Sequence, residues 1–343
     1  MAPHAHMTVA RSPRLPGALV ISLDFELHWG VRDHSAADGP YARNLHGARV
    51  AVNALLELFA RFGVRATWAT VGMLCADGAS ELERLSPPQS MRPRYVDLRL
   101  DPYREAVGAD EAADPLHFAP SLIRRILSAP GQELASHTFS HFYAREPGQT
   151  ATQFAADLDC AIAAAALHGS RPYSLVFPRN QHHPEYDSVL RAAQFRCYRG
   201  LPTGLLHRAT GASQLTFAHR ALRWLDDLVP GGPQRTVSLA SLHSENGLVN
   251  VPASHFLRPI RRATDPAARL QRARIAEALQ QAARDSAMLH IWWHPHNFGA
   301  TLDESLKHLT AVLEVAAHHR DAGRLEFLGM LDVADRVLAG GWT

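Results

Sequence analysis

The stretch Ala18-Leu-Val-Ile-Ser-Leu-Asp-Phe-Glu26 decides the fold. Ala18 to Leu23 is short and almost wholly apolar, and it is entered after Pro16-Gly17, which predicts a buried strand. That strand runs directly into two carboxylates. Outward from it, Ala48 to Phe62 places Val52, Leu55, Leu56, Phe59 and Phe62 at helical spacing, and Gly63 closes the helix. Val64 to Val71 then reads as a second strand. Strand, helix and strand at this spacing predict a parallel sheet built from βα units.

The alternation continues. Strands are expected at Gln132–Ser136, Tyr173–Phe177, Phe195–Tyr198, Met288–Trp293 and Leu325–Leu328. Helices are expected at Pro120–Leu127, Phe154–Leu167, Val189–Ala193, Leu270–Ala283, Leu302–His318 and Met330–Leu338. Polar clusters recur just after strands, where α/β enzymes place their sites. The 343 residues, 46% of them hydrophobic, suffice for one barrel-sized core. The expected organisation is a flexible tail over 1–17 and a single domain over 18–343, with insertions near 80–115 and 201–265.

Composition narrows the function. Lys plus Arg is 35 against 33 for Asp plus Glu, and no basic run is interleaved with aromatics, so a nucleic-acid surface is not expected. Cys75, Cys160 and Cys197 are scattered, which argues against a disulfide framework and for a reducing compartment. Leu19 to Leu23 is too short for a signal-peptide core or a membrane span, so the cytoplasm is expected. The assembly state is not set by the sequence.

Three polar clusters carry the chemistry. Asp24 and Glu26 lie in an apolar neighbourhood of Phe25, Leu27 and Trp29, where unpaired carboxylates are costly. His137-Thr-Phe-Ser-His141 spaces two imidazoles so that one turn or compact loop brings them together. Two imidazoles and a carboxylate suit zinc or another transition ion. In Met288-Leu-His-Ile-Trp-Trp-His-Pro-His296, a strand with Ile291 buried points His290 and Trp292 to the opposite face and ends at His294. A histidine beside indoles suits general acid work. Aromatic core packing with a surface His-Pro-His turn is the plainer alternative. Arg179 reads equally as a carboxylate's orienting partner and as a structural salt bridge. Asn180 and Gln181 beside it offer donors to substrate oxygens, and His243 is a secondary candidate.

This pattern resembles the polysaccharide deacetylase family, carbohydrate esterase family four, with its NodB-homology fold. Ser22-Leu-Asp24-Phe-Glu26 is similar to a variant of the family's first motif, and His137-Thr-Phe-Ser-His141 to its His-[Ser/Thr]-x-x-His motif. The resemblance implies an α/β fold, a distorted or incomplete (β/α)7-type barrel with a mostly parallel central sheet. It implies Asp24 as general base, and Glu26, His137 and His141 as ligands of a divalent metal, zinc first. It also implies Arg179 as the partner orienting Asp24, although proline and arginine stand in a different order here, and His294 as general acid with His296 as substitute. Trp292 or Trp293 would flank the sugar. The implied reaction is removal of an N-acetyl group from an amino sugar of a surface polysaccharide, O-antigen or precursor, on a lipid-linked or oligomeric glycan. The alternatives are hydrolysis of another linear or cyclic amide, and a silent carbohydrate-binding protein on the same fold.

Overall fold

The computed structural model describes residues 15–201 and 236–341. The expected tail lies outside these residues as far as residue 14, and so does the expected second insertion between 202 and 235.

Eleven strands form one sheet among the described residues: β1 (Gly17–Phe25), β2 (Ala66–Thr70), β3 (Gln132–Ser136), β4 (Ser174–Val176), β5 (Cys197–Arg199), β6 (Val237–Ser238), β7 (Ser244–Glu245), β8 (Leu248–Asn250), β9 (His255–Phe256), β10 (Ala287–Trp293) and β11 (Leu325–Leu328). The order is β6-β10-β1-β2-β3-β4-β5-β8-β7, with β11 also on β1 and β9 also on β10. Pairing is parallel from β10 through to β8, and only β6 and β7 run antiparallel to their neighbours. No pairing joins β6 to β7 among the described residues. The sheet is therefore an open, curled α/β barrel, as the alternation of elements predicts.

The period of two along β1 sorts its side chains between two cores. Leu19, Ile21, Leu23 and Phe25 pack outward with Leu55 and Phe59 of the helix Ala42–Phe62 and with Leu279 and Leu313 of the helices Pro266–Asp285 and Leu302–Asp321. Ala18 and Val20 face inward, clustering with Val176, Cys197, Val249 and Met288 from other strands and with Met330, Val333 and Ala334 of the last helix. Ser22 and Asp24 continue the inward series. One end of the barrel is thus plugged by apolar side chains and the other is lined with polar ones.

The helix Ala42–Phe62 starts six residues before the expected Ala48, because Leu45 extends the same buried stripe toward the N-terminus. Gly63 ends it with φ 66°. The expected insertion near 80–115 holds one short helix, Ala79–Leu85, then three single 3-10 turns, two of them capped when Asp97 and Asp101 accept backbone N–H groups from Arg99 and Tyr103. The described part of the second expected insertion supplies β6 to β9. These strands of two or three residues are too short to show a period in sequence.

Candidate active site

The three polar clusters singled out from sequence sit at or just past the C-terminal ends of parallel strands. Asp24 is the penultimate residue of β1, Glu26 follows it, His137 follows β3 and His294 follows β10; Arg199, which the sequence reading did not single out, ends β5. Because Asp24 is on the inner face, only 3% exposed, it needs a partner from across the barrel. Arg199 supplies it through a two-pronged pair, Nη1 to Oδ1 at 2.7 Å and Nη2 to Oδ2 at 2.8 Å. The same guanidinium donates to Ser22 Oγ and Asn180 Oδ1 and lies over the Trp292 ring at 4.3 Å. Burial alone would raise the Asp24 carboxyl, but Arg199, with His137 and His294, more than offsets it and holds the group below its ordinary value, hence ionised.

This corrects the sequence expectation for Arg179. Its backbone is left-handed at φ 54°, and its side chain donates to Asp33 while lying 4.6 Å over the Tyr143 ring. It lines the cleft without touching Asp24. Arg199 had a legible signal, an arginine just past the expected strand Phe195–Tyr198, but its partner depends on β5 lying across the curled sheet from β1.

Glu26 faces the two histidines. Its Oε2 lies 3.3 Å from His137 Nε2 and 3.2 Å from His141 Nε2, all three residues being buried. His137 Nδ1 donates to the Val176 carbonyl at 2.8 Å. Since a carbonyl only accepts, Nε2 of a neutral His137 presents its lone pair to a carboxylate oxygen. Acceptors facing one another in a buried gap are what a divalent cation satisfies, and the donor atoms of Glu26, His137 and His141 lie within 4.8 Å of one another. The residues therefore fit a metal. Burial would raise Glu26, yet the surrounding imidazoles, His294 first, hold it well below the usual carboxylate range. Burial pushes His141 down to about 4, which keeps its ring neutral and able to ligate. Glu26 also groups with His294 and His296 in a second triad on the same carboxylate.

The chain turns sharply to present these groups. Leu27, Thr138, His141, Arg179 and Asn180 all have positive φ, five of the eight such non-glycine residues described. Backbone strain of this kind persists only where surrounding contacts over-determine it. Asp157 is one such contact, accepting from the N–H groups of Phe139 and Ser140 and from Ser140 Oγ. Gly30 is another: a Cβ there would lie 1.9 Å from Glu26 Cδ. Gly30→Ala should displace the carboxylate and weaken zinc binding by about tenfold or more, as measured by titration against a chelator. Unchanged affinity would contradict Glu26 as ligand.

His294 stands across the cleft, its Nε2 3.7 Å from Asp24 Oδ2 and 3.5 Å from Glu26 Oε1, with 22% of its side chain exposed. His296 stacks on it at 4.9 Å between ring centres. Burial and the neighbouring His294 push His296 down to about 3. Trp292, inward on β10, lines the cleft with Phe256, Asn180 and Asn297. Trp293 does not. It faces outward with Leu289 and Ile291, fully buried and stacked on Phe298, so it belongs to the core and not to a sugar subsite. His243 is exposed and away from these groups. Tyr41, His34 and Asn297 also line the cleft, which encloses about 530 Å³, and none stood out in sequence.

Below the cleft, His290 is buried against Ser22 Oγ at 2.8 Å, and burial with the nearby Arg199 charge pushes it down to about 3. In the unfolded chain a histidine takes its proton near about 6.5. Between these values the unfolded state binds more protons, so stability falls as pH drops below about 6.5 toward 3. The urea midpoint should be lower at pH 5 than at pH 7.5, and the difference should shrink in His290→Gln. Equal pH slopes in the two proteins would show that His290 does not carry the effect.

No protein-family model matches the sequence, and no curated protein matches it. Solved structures match it in shape. A proposed polysaccharide deacetylase from Mycobacterium smegmatis aligns over 97% of this chain and 96% of its own, with a TM-score of 0.57 and 17% identity. Puue allantoinase aligns over 100% and 99%, at 0.56 and 14%. A GH57-type branching enzyme from the archaeon Pyrococcus horikoshii aligns over 93% of this chain and 70% of its own, at 0.53 and 14%. The chain shares its fold with polysaccharide deacetylases at low identity. These three names denote different reactions, so the fold defines the architecture and the residues of the site must argue the chemistry.

Proposed function

We propose that the chain is a metal-dependent hydrolase that removes an N-acetyl group from an amino sugar of a surface polysaccharide, O-antigen or its precursor. One observation carries the reading: a carboxylate locked by Arg199, a separate carboxylate–imidazole cation site, and a solvent-facing imidazole meet within one cleft. Zinc is the ion this donor set favours, and when bound it supplies a Lewis acid for the amide carbonyl. Asp24, kept ionised and oriented by Arg199, accepts the proton of the attacking water. His294 donates a proton to the departing sugar amine, with His296 stacked behind it as support. Trp292 offers a flat apolar surface to the sugar ring, and Asn180 an amide to its hydroxyls. Three cysteines that remain free fit action in the cytoplasm on a lipid-linked or oligomeric precursor. Among the described residues no helix is long and apolar enough to cross a membrane.

A second reading, hydrolysis of another linear or cyclic amide, draws on the similarity to an allantoinase over the whole chain. The test is acetate release from a panel of N-acetylated precursor and oligomeric glycans, run beside a panel of small amides with the zinc-loaded protein. Acetate from a glycan supports the deacetylase. Product from small amides alone supports the second reading, and saturable glycan binding without product would reduce the chain to a binding protein.

A further inference from the structure

A second histidine cluster lies beside the cleft, in residues the proposed reaction does not use. His28, in the 3-10 turn Leu27–Gly30, is 2% exposed, and His117, two residues past the 80–115 segment, is 4% exposed. Their rings approach edge to face with His28 Nδ1 only 2.9 Å from His117 Nε2.

The protons on these rings are fixed from the far side. His28 Nε2 lies 2.9 Å from the Ser35 carbonyl, which can only accept, so Nε2 carries the hydrogen. His117 Nδ1 lies 2.8 Å from Asp114 Oδ2. That carboxylate also accepts the backbone N–H groups of Gly108, Leu116 and His117, so it too acts as an acceptor. In the neutral rings both facing nitrogens therefore hold lone pairs, pointed at one another across 2.9 Å in a buried space. Glu105 Oε1 completes a triangle at 3.7 Å from His28 Nδ1 and 3.8 Å from His117 Nε2. Three acceptors converging with no donor between them demand a positive species.

We infer that His28, His117 and Glu105 form a second divalent-cation site, separate from the Glu26 cluster and structural in role. The donor set is two imidazoles and a carboxylate, which suits zinc. Tetrahedral zinc–nitrogen bonds of about 2.0–2.1 Å hold two ligating nitrogens about 3.3 Å apart, so the 2.9 Å between these nitrogens needs only a small outward shift of the rings. Asp114 and the Ser35 carbonyl fix the ring tautomers as the outer partners of metal-bound histidines do. The Glu105 side chain, 29% exposed, leaves a route from solvent. The ion would clip residues 105 and 117 to the turn that follows Glu26. Two further bonds already stitch this region, Trp29 Nε1 to the His117 carbonyl at 2.9 Å and His28 N–H to the Leu116 carbonyl at 3.3 Å.

The test counts zinc on the full chain after loading with zinc alone and removing excess with a weak chelator. The wild-type protein should hold about two ions per chain, and a His137→Gln/His141→Gln variant about one. Adding Glu105→Gln or His117→Gln to that variant should remove the remaining ion or weaken its binding by at least about tenfold. Zinc should also raise the melting temperature of His137→Gln/His141→Gln, and fail to do so once Glu105→Gln is added. Glu105 is partly exposed, so that change decides the matter even if His117→Gln fails to fold. The inference is overturned if His137→Gln/His141→Gln holds no zinc, which would mean the two rings share a proton. It is equally overturned if the remaining ion survives both Glu105→Gln and His117→Gln at unchanged affinity.

Discussion

Asp24→Asn is expected to lower acetate release by about 10²–10⁴-fold, the usual worth of a positioned proton acceptor, while the protein keeps its zinc. The separation of effects follows from the geometry. Both oxygens of Asp24 are engaged by Arg199, whereas the oxygen that faces the histidines belongs to Glu26. Asparagine preserves the shape but cannot take a proton, and its amide nitrogen turns one Arg199 contact into donor against donor. Some loss of thermal stability should therefore accompany the change, and a melting curve run beside the assay separates it from loss of catalysis. Glu26→Gln is the control: it should lose zinc affinity and activity together. Wild-type turnover by Asp24→Asn would remove Asp24 as base. Zinc loss equal to that of Glu26→Gln would instead place Asp24 among the ligands.

The site was legible in sequence to the extent that strand ends are. Asp24 and Glu26 end a short apolar run and His137 follows an expected strand, and a polar residue that ends such a stretch must emerge at the edge of the core. The period of two also separates Trp292 from Trp293. Ile291 is buried outward, so its neighbour at 292 must face the cleft and the next residue must return to the core. What the sequence could not supply is which elements meet across the barrel. Arg199 reaches Asp24 because β5 curls round opposite β1, and Arg179 turns to Asp33 because its own backbone is left-handed. His28 and His117 stand far apart in the chain and become a cluster only when the 80–115 segment folds back over the turn after Glu26. Strands β6 to β9 escaped notice for another reason: two or three residues cannot display a period, and only pairing with β5, with β10 and, for β7, with β8 makes them strands.

The largest effect on stability and activity together is expected from Arg199→Leu. It leaves Asp24 buried at 3% exposure without its two-pronged partner, and breaking a buried pair from one side costs about 3–5 kcal/mol. It also strips donors from Ser22 Oγ and Asn180 Oδ1. With the guanidinium gone, burial becomes the dominant influence on Asp24 and its carboxyl rises. The acidic limb of the rate profile should then move to higher pH, a signature that mere loss of folded protein would not produce. Arg199→Lys keeps the charge but not the two-pronged geometry, and should recover part of the stability with little of the rate. Arg179→Leu is the comparison. Its pair with Asp33 is partly open to solvent, 27% and 12% exposed at the two side chains, and it leaves Asp24 fully bonded. Its effect on kcat should therefore be the smaller one, with no shift of the acidic limb. If Arg179→Leu moves that limb and Arg199→Leu does not, the orienting role returns to Arg179 and the Arg199–Asp24 pair is only a fastening of the barrel wall.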